Sequence, residues 1–237
     1  MPPTEIAYCG VPPVPADVAT TWNLDPPLLV GLVLFALLMR RRAHDRRAGW
    51  AAAALLVLVF VSPLCALSAA LFSARVLHHV VLIAMAAPLL VLAFPLRQLP
   101  SLSASGVFLA HWVTLWLWHA PGPYAWALAS VGGYWLMQAS LLGTAWLLWR
   151  EILASNRQAL ALLLGTVVQM GLLGALIVFA PSPLYAAHFG TTWPWGLSPL
   201  EDQQLAGLLM WVPAMLPYLG CALTLAWRGL GEHGRAS

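Results

Sequence analysis

The chain has 237 residues and a formal net charge of +3; 61% of its residues are hydrophobic and only 8% are charged. Soluble domains carry about 25% charged residues, so a mean hydropathy of +0.82 excludes an ordinary soluble domain and identifies an integral membrane protein. All 11 of the Lys and Arg residues are Arg, and they fall between apolar runs, where positive charge sets topology and gives no sign of a nucleic-acid surface.

A membrane-spanning helix needs roughly 20 apolar residues, and the apolar runs number seven. Residues 1–21 are Pro-rich, hold Glu5 and Asp17 but no Arg, and read as an extended tail. They lack the basic start and apolar core of a cleavable signal, so insertion is expected to begin with the first span. Asp25 is placed to cap a helix that opens on Pro26 and runs to about Met39. The loop Arg40-Arg41-Arg42-Ala43-His44-Asp45-Arg46-Arg47 follows, and its five Arg residues assign it to the cytoplasmic side. Helix 2 covers about Gly49 to Leu71 with a kink at Pro63. Helix 3 begins at Arg75, carries His78 and His79, and ends near Phe94. Helix 4 runs from about Ser101 to Trp118 with His111 at mid-depth. His119 to Pro123 form a short outer loop, and helix 5 spans about Tyr124 to Trp149. Helix 6 covers about Gln158 to Phe179. An aromatic, Pro-rich outer loop runs from Pro181 to Pro199. Helix 7 extends from about Glu201 to Trp227, with Pro213 and Pro217 as kink sites.

The resulting fold class is an all-α polytopic membrane bundle of seven transmembrane helices, with the N-terminus outside and the C-terminus cytoplasmic. The periplasmic tail is residues 1–21, the seven-helix domain 22–228 and the cytoplasmic tail 229–237. In this arrangement every Arg except Arg75 is cytoplasmic, as the positive-inside rule requires.

The same topology gathers Arg75, His78, His79, His119, His188, Glu201 and Asp202 at the outer ends of helices. Polar groups kept within spans are functional candidates, and imidazole suits copper, zinc, iron and nickel. An outer site of His79, His119 and Asp202 is therefore the metal-ligand candidate. Arg75, His78, Tyr185, Glu201, Gln203 and Met210 support it, and Met85 and Met215 extend it as soft ligands. The competing reading pairs Arg75 with Glu201 or Asp202, because intramembrane charges usually pair. Adjacent helical positions such as His78 and His79 point about 100° apart. His111 is expected to bond Thr114 or a neighbouring helix, and with no second His at similar depth no haem-ligand pair appears. Cys9 and Cys65 are both outside, as disulfide or copper ligands, though nothing in their spacing decides it. No nucleotide-binding, Ser-His-Asp or HExxH pattern is present.

Several stretches carry a family resemblance. They are Trp22-Asn23-Leu24-Asp25-Pro26, Ser62-Pro63-Leu64, the His79 region, Trp118-His119-Ala120-Pro121, Tyr124, Pro183-Leu184-Tyr185, and Leu200-Glu201-Asp202-Gln203-Gln204-Leu205-Ala206-Gly207 with Met210-Trp211. Taken together, from Trp22 to about Tyr218, the chain resembles the CtaG family of membrane-integral cytochrome c oxidase assembly factors. The resemblance implies a non-enzymatic protein of the bacterial inner membrane that assists haem-copper oxidase assembly and handles copper transiently at the periplasmic side. Its implied partners are oxidase subunits, membrane lipids and a periplasmic copper chaperone. Many relatives carry a His-Met-x-x-His run where this chain has Arg75 to His79, and often a His pair where it has Tyr134 and Gln138. His79, His119, Tyr185, Asp202 and Gln203 match. The alternative from the residues alone is a transporter or channel for a metal ion or small solute, suggested by Pro63, Pro88, Pro213 and Pro217 with in-membrane His111 and Gln169.

Overall fold

The computed structural model describes residues 7–95, 103–154 and 158–236, with side chains up to Trp227. The predicted positions of Arg97 and Arg157, and the side chains of Arg228, His233 and Arg235, lie outside the described residues. The protein is 80% helix, with no strand among the described residues.

Helix α1 (Pro26–Arg42) starts on Pro26 as predicted, but Asp25 does not cap it by side chain. Its carboxylate is taken instead by the Tyr8 hydroxyl at 2.6 Å. Helix α2 (Arg46–Phe60) is capped by Asp45, whose Oδ1 accepts the Arg47 and Ala48 amides. Helix α3 (Pro63–Ala70) continues it at a 45° bend, so the kink predicted at Pro63 is a break with its own Ser62 cap.

Helix α4 (Phe72–Ala93) begins three residues before the predicted start at Arg75 and contains a π-helical stretch, Val81–Ala86. Pro88 leaves one carbonyl of this stretch without its helical partner. In i→i+5 bonding the Ile83 carbonyl would need the amide of residue 88, and proline has none. The Trp149 indole N–H donates to that carbonyl at 2.9 Å in its place.

Helix α5 (Ala104–His119) ends on His119, which was predicted to lie in a loop. Helices α6 (Pro121–Ala129) and α7 (Val131–Ala154) divide the single predicted helix 5 at Ser130. Helix α8 (Ala159–Val178) leads to the aromatic loop, in which Gly196 takes a φ of 74° and turns the chain into the Ser198 cap. Helix α9 (Pro199–Trp211) opens with a capping box between Ser198 and Glu201. A 3₁₀ turn at Pro213–Met215 then breaks the path into α10 (Leu216–Ala236).

Among the described residues, three stretches are long and apolar enough to cross a membrane: Phe72–Ala93, Ala159–Val178 and Pro199–Trp227. The bent pair α2 and α3 makes a fourth if it is one span. Helices α1 and α5, at 17 and 16 residues, are shorter than the roughly 20 residues that span a bilayer untilted, and Gly132, Gly133, Tyr134 and Gln138 dilute α7.

Helices α8 and α9 cross at glycine. A Cβ on Gly207 would lie 2.7 Å from the Gly174 carbonyl oxygen and 3.0 Å from the Val178 amide nitrogen. Small residues at such crossings let backbones approach where lipid offers no competing hydrophobic drive.

The N-terminal segment, predicted as an extended tail, is tied down from Tyr8 onward. Cys9 is disulfide-bonded to Cys65, Tyr8 stacks on Tyr134 at 4.7 Å, and the Pro13 carbonyl accepts the Trp195 indole N–H. At the far end of α4, the His44 amide bonds the Ala93 carbonyl at 2.8 Å. The Arg-rich loop and the Phe72 end are thus separated by the 22 residues of α4, roughly 33 Å at 1.5 Å per residue.

Candidate functional site

At the Phe72 end the first turns of α4 and α9 lie side by side. Leu71, the residue before α4, has no side chain that can cap. Asp202 supplies the cap from the neighbouring helix. Its Oδ2 accepts the Phe72 amide at 2.7 Å and its Oδ1 accepts the Ser73 amide at 3.2 Å, while the Ser73 hydroxyl also donates to Oδ1. Asp202 is fully buried and stands at two helix N-termini at once, where the aligned peptide dipoles favour a carboxylate.

Gln203 does complementary work. Its Oε1 accepts the Leu184 amide at 2.7 Å and its Nε2 donates to the Ile177 carbonyl at 3.1 Å, fixing the loop after α8. Tyr185 from that loop stacks on Phe72 at 3.7 Å and donates its hydroxyl to the His119 carbonyl at 2.8 Å. His188 donates from Nδ1 to the Ala70 carbonyl at 3.2 Å and accepts the Tyr124 hydroxyl at Nε2, 2.7 Å away. Burial, with the Arg75 charge adding to it, pushes the His188 pKa down to about 4. Sequence reasoning missed this Tyr124–His188–Ala70 chain, which joins three elements distant in sequence.

Beneath this layer lies a set of buried polar side chains. His79 and His119 face each other with ring centroids 5.8 Å apart, and His78 stands 5.8 Å from His79 with its edge toward Phe60. The His119 Nδ1–H is fixed on the Leu115 carbonyl at 2.7 Å, which leaves a buried Nε2 lone pair with no partner. The Gln138 amide nitrogen lies 3.5 Å from His79 Nε2, while His79 Nδ1 and Gln138 Oε1 have no partner. Tyr134, four residues before Gln138 and on the same helix face, lies under Arg75, whose Cζ is 5.4 Å from the ring centroid. The two positions where relatives often carry His therefore both front this set.

Arg75 is 1% exposed. It lies against the Tyr134 ring, and its Nε and Nη1 have no acceptor. The predicted ion pair with Glu201 or Asp202 does not form. Glu201 is exposed and bonds the Ser198 amide at 2.7 Å, and Asp202 is held by α4. Arg150–Glu151 is the ion pair found among the described residues.

His79 and His119 are thus brought together, while the Asp202 carboxylate is spent on the Phe72 and Ser73 amides of α4. Among the described residues no group of three or more His, Cys, Asp or Glu side chains could hold a metal ion. Met210 is buried, whereas Met85 is 43% exposed and does not extend the site. His111 bonds Thr144 at 3.0 Å, not Thr114, and Gln169 accepts the Trp116 indole N–H at 3.1 Å. Each side chain is held across helices through one atom, while His111 Nε2 and Gln169 Nε2 are buried without a partner.

Against known families, the model of the cytochrome c oxidase caa3 assembly factor (Caa3_CtaG) matches residues 30–231. No curated protein and no solved structure is similar enough to this chain to match it. The family match gives no support to the transporter alternative.

Proposed function

Since the chain belongs to the cytochrome c oxidase caa3 assembly factor family, we propose that it helps build a haem-copper oxidase in the bacterial inner membrane by handling copper at the His79–His119 pair. Copper is cargo in this reading, not a resident cofactor. The observation that supports it is the preparation of His119: its Nδ1–H is committed to a backbone carbonyl, and its Nε2 lone pair is buried without a partner beside the His79 ring, whose centroid is 5.8 Å away. Metal-ligating His residues are commonly oriented by such a second bond, and imidazole suits copper. The buried set at the Phe72 end would face the periplasm in a seven-span arrangement. Oxidase subunits, lipids and a periplasmic copper donor would be its partners, and the protein itself would carry no catalytic step.

Asp202, Gln203 and Tyr185 enter this proposal as the frame that holds the start of α4 and the His119 end of α5, not as ligands. The test is made in cells. A strain lacking the protein should lose active haem-copper oxidase. His79→Ala with His119→Ala should lose it too, at unchanged abundance of the variant, whereas Asp202→Ala should lower activity and protein abundance together. Normal oxidase content and activity in the deletion strain would end the proposal.

A further inference from the structure

The sulfur pair is left unused by the copper reading, and it adjoins Arg75, a buried charge with no ion-pair partner among the described residues. Cys9 and Cys65 are joined across 56 residues of sequence, and both are buried. The Tyr134 hydroxyl oxygen lies 3.5 Å from Cys9 Sγ and 3.8 Å from Cys65 Sγ. A disulfide sulfur carries no proton, so the hydroxyl is the donor. Arg75 lies against the ring of the same Tyr134, with its Cζ 5.4 Å from the ring centroid. Contacts therefore run from guanidinium to phenol to sulfur.

A buried charge is normally paired. The Arg75 guanidinium has two nitrogens with no acceptor, and the Asp202 and Asp25 carboxylates are committed elsewhere, Asp202 to the amides of α4 and Asp25 to Tyr8. A disulfide is neutral and so is a dithiol; neither answers Arg75. A Cu(I) ion on two thiolates carries one positive and two negative charges, a single net negative charge beside that cation. On two neutral imidazoles the ion keeps its positive charge. The His79–His119 pair, close to Arg75, therefore suits passage of copper, and the sulfur pair suits its residence. Thiolate sulfur also selects Cu(I). That ion accepts two ligands, so the lack of any three-ligand group among the described residues is no obstacle to it.

We propose that Cys9 and Cys65 are a redox-active pair that, once reduced, holds one Cu(I) ion as a bis-thiolate against Arg75. The inference rests on the copper-handling reading only for the identity of the metal. The reductant is a dithiol protein of the thioredoxin class. One of its thiolates attacks a sulfur of the pair and its second thiol resolves the mixed disulfide. Its two electrons and two protons end on Cys9 and Cys65 as it becomes a disulfide. When Cu(I) arrives, two S–H bonds break, two Cu–S bonds form, and two protons leave to solvent.

The test uses the full chain in detergent micelles without oxygen, titrated with Cu(I) against a competing Cu(I) chelator. Protein reduced with dithiothreitol should hold one equivalent that the oxidised protein does not, with the copper K-edge spectrum showing two sulfur ligands. Cys9→Ser with Cys65→Ser should lose that equivalent, and His79→Ala with His119→Ala should keep it. Arg75→Gln should weaken it by roughly tenfold or more through loss of the balancing charge. Oxidised wild type holding the same copper overturns the proposal without any substitution, so misfolding of a variant cannot mask the result. Failure of dithiothreitol to open the bond in the folded protein overturns it as well, as does full binding by the Cys double variant. A normal oxidase in the deletion strain would instead sink the assembly reading and leave this binding result standing.

Discussion

His188 shows how a single side chain in a loop can tie stability to pH. It is 2% exposed, donates to the Ala70 carbonyl and accepts from Tyr124, all as a neutral imidazole. Its pKa falls from the ordinary 6.5 to about 4 on folding. Above pH 6.5 both folded and unfolded forms are neutral and the contribution is complete. As pH drops from 6.5 toward 4 the unfolded chain takes up the proton first, so stability is lost across that window, by on the order of 3 kcal/mol. Thermal unfolding in micelles at stepped pH should show a slope in this range that is reduced in His188→Gln; an unchanged slope would mean that other groups carry it. At this scale the sequence was half legible. His79 and His119 were picked out as partners and do meet. Asp202 was read as a ligand or as the counter-charge to Arg75; its carboxylate is instead spent on the start of α4, and no ion pair with Arg75 forms. The reason is that Leu71, before α4, bears no capping group. The true start of that helix has no local signal, because its cap comes from a residue 130 positions away.

Among the helices, prolines gave most of what could be read. Pro63, Pro88 and Pro213 each mark a real break or turn, since a missing amide acts through the chain's own geometry. The Ser130 break was not legible, as it separates two apolar stretches with no proline between them. Nor was the meaning of Gly207, which depends on what crosses it. A side chain there meets backbone atoms of α8, and backbone cannot rotate away. Gly207→Ala should therefore cost about 1–3 kcal/mol, read as a lowered melting temperature. Gly220→Ala is the matched control: nothing lies within 4 Å of its added Cβ, so better helix propensity should leave it neutral or slightly stabilised. Equal losses in both variants would remove the crossing as the explanation.

Over the whole molecule, composition identified the membrane and the all-helical class, while the number of spans does not follow from hydropathy alone. Short helices such as α5 meet the length of a bilayer only by tilt or local thinning, which no sequence window records. The distribution of Arg supplies an independent handle. If positive charge orients the bundle, the Arg40–Arg47 loop and the Pro181–Pro199 loop lie on opposite faces of the membrane. With Cys221→Ser as background, Gly190→Cys should react with an impermeant maleimide in intact cells, and His44→Cys only after permeabilisation. Both positions are exposed, so labelling of the two from the same side would invert or shorten the proposed arrangement.

The wide turn at Val81–Ala86 also acts as a phase adjuster for the helix that contains it. A π turn accommodates one residue more than an α turn, and each residue in a helix sweeps about 100°. Winding the same residues as a regular α-helix would turn everything upstream by about that angle against everything downstream, whereas removing one residue together with the wide turn would leave both flanks in phase. Arg75, His78 and His79 keep their interior seat because the extra residue is taken up here. In α4, chain length between two fixed points, and not side-chain identity alone, sets which way the interior cation and imidazoles face.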